Sequence, residues 1–291
     1  MIKDFEYFAP ETVEEALTLL SKYKGEAKLI GGGQSLLLLM KQGLVAPRYL
    51  IDIKAIPTLD YIKYDEKEGL RIGSLTAHRS IELSSVIRNG FSVLAEMEEG
   101  LSSVQIRNWG TIGGNLCHAD PAGDPAPPLI ALNAKVKMAS SSGERVIALE
   151  DFFKGYYETV IEADEMLIEI QVSKPLPHTG VAYGTFNLME LDPPVVGTAV
   201  SIMLNPGDGS CTDARIVLGA AAPVPMRAKK AEKALTGREV GDNVIEEAAQ
   251  AASEEANPIS DMHFSEEYKR ELVRVLVKRT GRKALERAKA V

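Results

Sequence analysis

The chain has 291 residues, 45% hydrophobic and 25% charged, which is an ordinary composition for a globular protein long enough for two domains. Its net charge of -8 argues against a nucleic-acid-binding protein, which would usually carry a basic face. The longest apolar run, residues 36–40, is too short to span a membrane, and the first four residues lack the apolar core of a signal peptide. Cys117 and Cys211 are too few for a disulfide framework or a four-thiolate cluster, so we expect a cytoplasmic protein with reduced thiols.

The first part of the chain predicts a small α/β unit. Thr12 followed by Glu15 is typical of a capping box, and residues 12–23 predict an amphipathic helix. A short apolar run at residues 27–30 then meets a glycine loop at residues 31–35. The loop is followed by a predicted helix and a predicted strand, at residues 36–41 and 49–53.

A second α/β region is predicted from residue 70 onward. We expect strands at residues 70–73, 136–138 and 167–172, helices at 76–84 and 92–101, and a turn at 140–143. Residues 105–128 are rich in Gly, Asn, Asp and Pro and predict a long irregular stretch. Such a long loop within a compact domain is uncommon and is often functional.

Pro175 and Pro177 mark the expected domain boundary. Beyond it we predict three strands, a turn and then helices, the strands at residues 181–186, 195–204 and 213–219 and the turn at 205–209. Strands followed by helices indicate an α+β fold. We therefore expect an N-terminal domain over residues 1–177, divided near residue 55, and a C-terminal domain over residues 178–291.

The glycine loop at residues 31–35, of sequence GGGQS, is a candidate phosphate site. Three consecutive glycines remove every Cβ where the backbone bends, so a ligand can approach the amide groups closely. The start of the following helix adds a dipole suited to phosphate. The alternative is a tight strand-to-helix turn, because glycine-rich loops are common connectors.

A second glycine loop at residues 110–115, of sequence GTIGGN, has similar chemistry. Two such loops in one α/β region suit a ligand with two phosphates, which favours a dinucleotide. The usual nucleotide motifs do not fit: Leu36 stands where the Rossmann fingerprint needs its third glycine, and no segment matches the Walker A pattern.

An acidic loop follows at residues 118–124. His118, Asp120 and Asp124 permit a metal site, but no second histidine lies nearby and Asp is an ordinary loop residue. We favour a carboxylate that binds ligand hydroxyls, as acidic side chains do in dinucleotide sites.

Taken together, these segments resemble the FAD-binding (medium) subunits of the xanthine dehydrogenase and carbon monoxide dehydrogenase family of molybdenum hydroxylases. The resemblance covers essentially the whole chain in order and spacing. Its most specific part is the sequence QIRNWGTIGGN at residues 105–115, continued by HADP at 118–121. The other matching segments are residues 31–37, 50–53, 70–73, 151–153 and 220–227.

The resemblance implies an FAD-binding fold of the vanillyl-alcohol oxidase type, with two α/β subdomains, followed by a C-terminal domain of three-stranded antiparallel sheet and helices. It implies that the two glycine loops wrap the FAD pyrophosphate, that Asp124 contacts the sugar or ribityl part, and that residues 167–168 pack near the flavin. We expect no catalytic residue and no metal ligand in this chain. The expected FAD-binding residues are Ile30, Gly31, Gly32, Gly33, Gln34, Ser35, Leu36, Ile106, Gly110, Thr111, Ile112, Gly113, Gly114, Asn115, Cys117, His118, Asp124, Leu167 and Ile168.

Two departures from the family pattern concern the chemistry of the flavin. Family members often carry a lysine, and commonly arginines, before the aspartate that matches Asp192; residues 185–191 have neither. A positive charge near the flavin ring favours its anionic reduced form, so the flavin potential and the electron acceptor are left open. Some relatives also hold an iron–sulfur cluster in an insertion that this chain lacks.

The family implies a function in electron transfer. FAD, bound without a covalent bond, would take electrons from [2Fe–2S] clusters in a small partner subunit, while a large partner subunit carries the molybdenum–pterin centre that oxidises the substrate. The implied assembly is a dimer of heterotrimers. Two alternatives stay open: a self-contained FAD-dependent oxidase or dehydrogenase, and a non-catalytic nucleotide-binding module.

Overall fold

The computed structural model describes residues 2–290, which contain three main sheets and one two-stranded sheet. The strands are β1 (Glu6–Phe8), β2 (Ala27–Ile30), β3 (Tyr49–Asp52), β4 (Ile62–Asp65), β5 (Gly69–Gly73), β6 (Lys135–Ser140), β7 (Gly143–Ala148), β8 (Phe153–Gly155), β9 (Glu158–Thr159), β10 (Met166–Val172), β11 (Thr179–Phe186), β12 (Val196–Leu204), β13 (Cys211–Gly219) and β14 (Met226–Arg227). The helices are α1 (Val13–Lys22), α2 (Leu36–Gln42), α3 (His78–Leu83), α4 (Ser85–Gly90), α5 (Ser92–Gly100), α6 (Val104–Trp109), α7 (Ile112–His118), α8 (Ala126–Ala131), α9 (Lys229–Leu235), α10 (Asp242–Glu255) and α11 (Glu266–Lys289). No helix among residues 2–290 combines the length and the apolar character needed to cross a membrane.

The first sheet is parallel, with the strand order β1-β3-β2. Helix α1 connects β1 to β2, and its start is capped as the sequence predicts, because the Thr12 hydroxyl accepts a hydrogen bond from the Glu15 amide at 3.1 Å. The Glu15 carboxylate accepts from the Glu11 amide at 2.9 Å, one residue before the position that a capping box would use. The predicted strand–glycine loop–helix–strand unit is confirmed as β2, residues 31–35, α2 and β3.

The second sheet is antiparallel, with the order β4-β5-β10-β6-β7. One face carries aliphatic side chains of the largest core cluster, to which α3, α4, α5, α7 and α8 also contribute. The opposite face of this sheet carries alternating polar side chains, as expected for an antiparallel sheet with one side in water.

The expectation that residues 105–128 are irregular is wrong, because helices α6, α7 and α8 occupy much of this stretch. Two of them begin at hydroxyl caps: the Ser103 hydroxyl accepts from the Ile106 amide and the Thr111 hydroxyl accepts from the Gly114 amide, at 3.3 and 3.2 Å. The glycines of α7 and the prolines of α8 lie in the first turns, where they are tolerated. These residues were interpreted as loop signals although they mark the starts of short helices.

The third sheet is antiparallel and forms the C-terminal part, with the order β11-β12-β13-β14. The three predicted strands are present, and the two-residue strand β14 adds a fourth that is too short to leave a sequence pattern. One face of this sheet packs on α9, α10 and α11, and the other face packs on α8 and the core of the second sheet. Nearly every residue of β12 is therefore buried.

Polar contacts reinforce the seam between the second and third sheets. Glu96 on α5 forms ion pairs with Lys283, at 2.8 Å, and with Arg287, both on α11. The Arg287 guanidinium also donates to the Val181 carbonyl on β11 at 2.6 Å. Arg227 on β14 pairs with Glu150 at 3.2 Å.

Candidate functional site

The first glycine loop presents backbone amides that have no partner within the protein. Among the described residues, no backbone or side-chain acceptor bonds the amides of residues 31–35. Gly33 has a φ of +74°, a left-handed conformation that glycine adopts without strain, and the Gln34 side-chain amide donates to the Gly32 carbonyl at 3.0 Å. Backbone N–H groups are obligatory donors, so a run of unpaired amides at a bend fits an anionic acceptor.

The second glycine loop uses most of its amides internally. Ile112 donates to the Thr76 carbonyl at 3.0 Å, Gly113 to the Ser74 carbonyl at 2.9 Å, and Gly114 to the Thr111 hydroxyl at 3.2 Å. A Cβ on Gly113 would lie 2.5 Å from the Ser74 carbonyl oxygen. The glycines of this loop are therefore explained first by close packing, unlike those of the first loop, although the sequence suggested the same chemistry for both.

The two loops are in direct contact. A Cβ on Gly32 would lie 2.0 Å from the Trp109 carbonyl oxygen, and a Cβ on Gly31 would lie 3.2 Å from the Thr111 hydroxyl. Gly110 is next to Gln34 in the same way, at 3.7 Å from its Cγ. The structure thus brings together the two loops that the sequence assigned to one ligand.

Residues 74–78 connect the second loop to the sheet. The Ser74 amide donates to the Ile168 carbonyl at 3.1 Å and the His78 amide donates to the Gly110 carbonyl at 3.0 Å. The Ser74 hydroxyl is buried without a hydrogen-bond partner. Ile168 lies at the irregularity in β10 between residues 167 and 169, so the two apolar residues expected near the flavin are tied to the second loop through Ser74.

The apolar residues that are expected to bind FAD differ in exposure. Leu167 is buried in the core, and Ile30, at the end of β2, packs with Leu36. Ile106 is 37% exposed and the neighbouring Trp109 is 63% exposed. Ile106 and Trp109 on α6 therefore lie at the surface beside the loops, whereas Leu167 on β10 lies inside.

Asp124 is the carboxylate that best suits a ligand hydroxyl. It is half-buried, and its Oδ1 accepts a hydrogen bond from the Tyr183 hydroxyl at 2.8 Å. Burial raises the pKa of Asp124 to about 6, the negative charge of Glu98 acts in the same direction, and the hydrogen bond from Tyr183 opposes both. A carboxyl group whose pKa is raised by burial and by a neighbouring negative charge is typical of a functional site.

Cys117 and His118 lie at the end of α7 and differ in exposure. The Cys117 side chain is exposed, whereas His118 is partly buried and burial lowers its pKa. Asp120 is engaged in its own loop, where its Oδ1 accepts from the Ala122 amide at 2.9 Å.

A buried histidine–carboxylate pair lies behind the second loop and has no sequence signal. His78 Nδ1 is 2.9 Å from the Glu98 carboxylate, and both side chains are almost completely buried. The His78 ring packs against Gly110, since a Cβ there would lie 3.1 Å from His78 Cδ2. Neither residue was expected at the site, and nor was Tyr183.

A separate open cavity of about 890 Å³ lies on the polar face of the second sheet. Its walls include Tyr61, Glu169 and Gln171. The Glu169 carboxylate accepts hydrogen bonds from the Tyr61 hydroxyl at 2.7 Å and from the Gln171 side-chain amide at 2.6 Å. These polar groups are already satisfied, and the cavity includes none of the residues expected to bind FAD.

The residues present fit FAD. Unpaired amides of the first loop suit a pyrophosphate, a half-buried carboxylate suits a sugar or ribityl hydroxyl, and the buried hydroxyl of Ser74 beside the second loop lacks a partner.

Comparisons with known proteins agree with this fit. Residues 3–175 match the family model described as "FAD binding domain in molybdopterin dehydrogenase", and residues 182–284 match "CO dehydrogenase flavoprotein C-terminal domain". The chain belongs to the family of FAD-binding flavoprotein subunits of the molybdopterin dehydrogenases. The resemblance stated from the sequence, the fold class and FAD as cofactor are confirmed.

Its relatives are similar over nearly their whole length. The 6-hydroxypseudooxynicotine dehydrogenase complex subunit alpha of Paenarthrobacter nicotinovorans is 35% identical, over 98% of this chain and 96% of its own. The carbon monoxide dehydrogenase medium chain of Hydrogenophaga pseudoflava is 34% identical, over 94% of this chain and 95% of its own. A solved structure of carbon monoxide dehydrogenase from H. pseudoflava superposes with a TM-score of 0.95 and 34% identity, covering 99% of each chain. The chain is thus a flavoprotein subunit of an oxidoreductase.

Proposed function

We propose that the chain is the electron-transferring subunit of a molybdenum hydroxylase complex. FAD supplies the redox chemistry when bound: it can accept electrons one at a time and release two. The residues of this chain bind and orient it. The observation that carries the proposal is the run of unpaired amides at residues 31–35, which lies against the second glycine loop.

The residues that would hold FAD are those expected from the sequence, in three groups. The first loop offers its amides to the pyrophosphate, while the second loop offers its exposed surface at Gly114 and supports the first loop through the buried Thr111. Asp124 accepts from a hydroxyl of the cofactor. Leu167 and Ile168 support the flavin end from β10. The proposed division of the chain lies between β10 and β11, at residues 175–177.

The substrate chemistry is proposed to reside in a partner. The names of two relatives of almost equal similarity refer to unrelated substrates, 6-hydroxypseudooxynicotine and carbon monoxide. A chain that is similarly related to both is better suited to a step that the two complexes share than to recognition of either substrate. The partners would be a small subunit with [2Fe–2S] clusters and a large subunit with molybdenum–pterin, assembled as a dimer of heterotrimers in the cytoplasm.

Reduction of the bound flavin with and without the partners tests this proposal. The complex is co-purified from the native host, its substrate is identified by turnover, and the absorbance of oxidised flavin is followed after substrate addition. We expect rapid bleaching in the complex and none in the isolated, FAD-loaded chain. Bleaching of the isolated chain at the same rate would instead establish a self-contained flavoenzyme.

A further inference from the structure

A hydrogen bond joins Asp124 to the C-terminal part of the protein. The Tyr183 hydroxyl on β11 donates to Asp124 Oδ1 at 2.8 Å, while Asp124 itself lies in the loop between α7 and α8. The candidate FAD site is therefore built from both parts of the chain. The family models divide between these two residues, since the first ends at residue 175 and the second begins at residue 182.

The neighbouring strand is shaped to admit the Tyr183 ring. Gly197 on β12 lies next to it, and a Cβ at that position would be 2.8 Å from the Tyr183 hydroxyl oxygen. Any larger residue at position 197 would displace the hydroxyl from Asp124. The ring itself packs on the core cluster beneath the second sheet, which limits its freedom.

We infer that Tyr183 is a positioning residue for FAD: it holds the Asp124 carboxylate through Oδ1 and so presents Oδ2 to a hydroxyl of the cofactor's sugar or ribityl chain. The inference rests on the proposed placement of FAD at Asp124. It gives the C-terminal part a role in cofactor binding in addition to its packing role.

The pH dependence of FAD affinity distinguishes a positioning role of Tyr183 from a purely structural role, because it depends on the charges around Asp124. Burial and the negative charge of Glu98 raise the pKa of this carboxyl group to about 6, whereas the Tyr183 hydrogen bond and the charge of His78 lower it. A carboxylate accepts a hydrogen bond from an FAD hydroxyl better than a carboxyl group does. Affinity for FAD should therefore fall as the pH falls through the Asp124 pKa, and loss of the Tyr183 hydroxyl should move that fall to higher pH.

The test is a double-mutant cycle on the full chain, with FAD affinity measured by titration of the apoprotein. Tyr183→Phe should weaken FAD binding about tenfold, or ~1.4 kcal/mol. In the Asp124→Ala background, Tyr183→Phe should cause no further loss, because a residue that acts through Asp124 has no effect without it. The matched control is Tyr61→Phe, which removes another tyrosine–carboxylate bond, at 2.7 Å to Glu169, outside the site and should leave affinity unchanged.

The outcomes separate the inference from the proposed function. Parent-like affinity in Tyr183→Phe, or losses that multiply in the double variant, would overturn the role of Tyr183 alone. Parent-like affinity in Asp124→Ala would overturn both this role and the placement of FAD. Neither result bears on the proposed function in electron transfer, because the test of that function measures flavin reduction by the partner subunits. If Tyr183→Phe does not fold, Gly197→Ala replaces it, since the added methyl displaces the hydroxyl and should give the same pH shift.

Discussion

Gly32 in the first loop lies directly against the Trp109 carbonyl oxygen at the end of α6, so close that a Cβ on Gly32 would be 2.0 Å from that oxygen. The absence of a side chain at this one position allows the two loops to meet. Because backbone and not a flexible side chain is opposite Gly32, the contact cannot be relieved by a rotamer change.

Gly32→Ala is therefore expected to separate the loops and abolish tight FAD binding. The separation removes the unpaired amides of residues 31–35 from the second loop, so we expect a loss of at least about a hundredfold in affinity, or ~2.8 kcal/mol. FAD titration of the folded variant provides the measurement.

Gly241→Ala is the control for the glycine substitution. A Cβ on Gly241 would meet nothing within 4 Å, and its φ of -135° suits any residue. It should bind FAD like the parent. If both variants fold and bind FAD equally well, the contact between the loops does not support the cofactor site.

FAD should be released intact when the protein is denatured by acid. The first glycine loop offers backbone amides to the pyrophosphate, and no residue pattern in the sequence indicates a covalent attachment site. After acid precipitation the yellow colour should be in the supernatant. Colour that remains in the pellet would reject non-covalent binding.

Asp124→Ala should weaken FAD while leaving the fold intact. Losing a hydrogen bond to a charged group typically costs about 1.5–3 kcal/mol, or roughly ten- to a hundredfold in affinity. The parent should bind FAD less tightly below pH 6 than above it, since the Asp124 pKa is about 6, and the variant should lose this dependence. FAD titration above and below pH 6 measures both effects. If the variant keeps the parent's pH dependence of FAD affinity, that dependence arises from another group.

His78→Ala should destabilise the fold strongly. It leaves the Glu98 carboxyl group, which is fully buried, without its hydrogen-bond partner, and leaving a buried donor or acceptor unsatisfied typically costs about 1–3 kcal/mol. Urea unfolding, followed by far-UV circular dichroism, gives the free energy of unfolding. His263→Ala, at an exposed position, should change it by less than about 0.5 kcal/mol. Equal stability of the two variants would show that the buried pair contributes nothing net.

The parts of the site that the sequence predicted are those with a local signal. The triple glycine before Gln34 and the Thr12 cap each depend on a few neighbouring residues, so their structures could be predicted from composition and spacing. The resemblance to a family extended this to Asp124, which no local pattern distinguishes from an ordinary loop carboxylate.

The parts that were missed depend on contacts between distant segments. Ser74 reaches the second loop only because β5 pairs with β10, and Tyr183 reaches Asp124 only because the third sheet packs on the second. Glu98 looks like a surface residue of an amphipathic helix until His78 is placed beside it. Long-range pairing of this kind leaves no periodicity in a single sequence.

The ion pairs of Glu96 have a consequence for the cofactor. Burial alone would raise the pKa of Glu96, but Lys283 and Arg287 lower it below its ordinary value. These ion pairs therefore stabilise the fold at neutral pH, and their contribution is lost as the pH falls through the lowered pKa of Glu96. The same seam carries the bond between Tyr183 and Asp124. By thermodynamic reciprocity, if the hydrogen bond between Tyr183 and Asp124 favours FAD binding, bound FAD favours that hydrogen bond to the same extent. FAD-loaded protein should thus resist proteolytic cleavage between β10 and β11 better than the apoprotein.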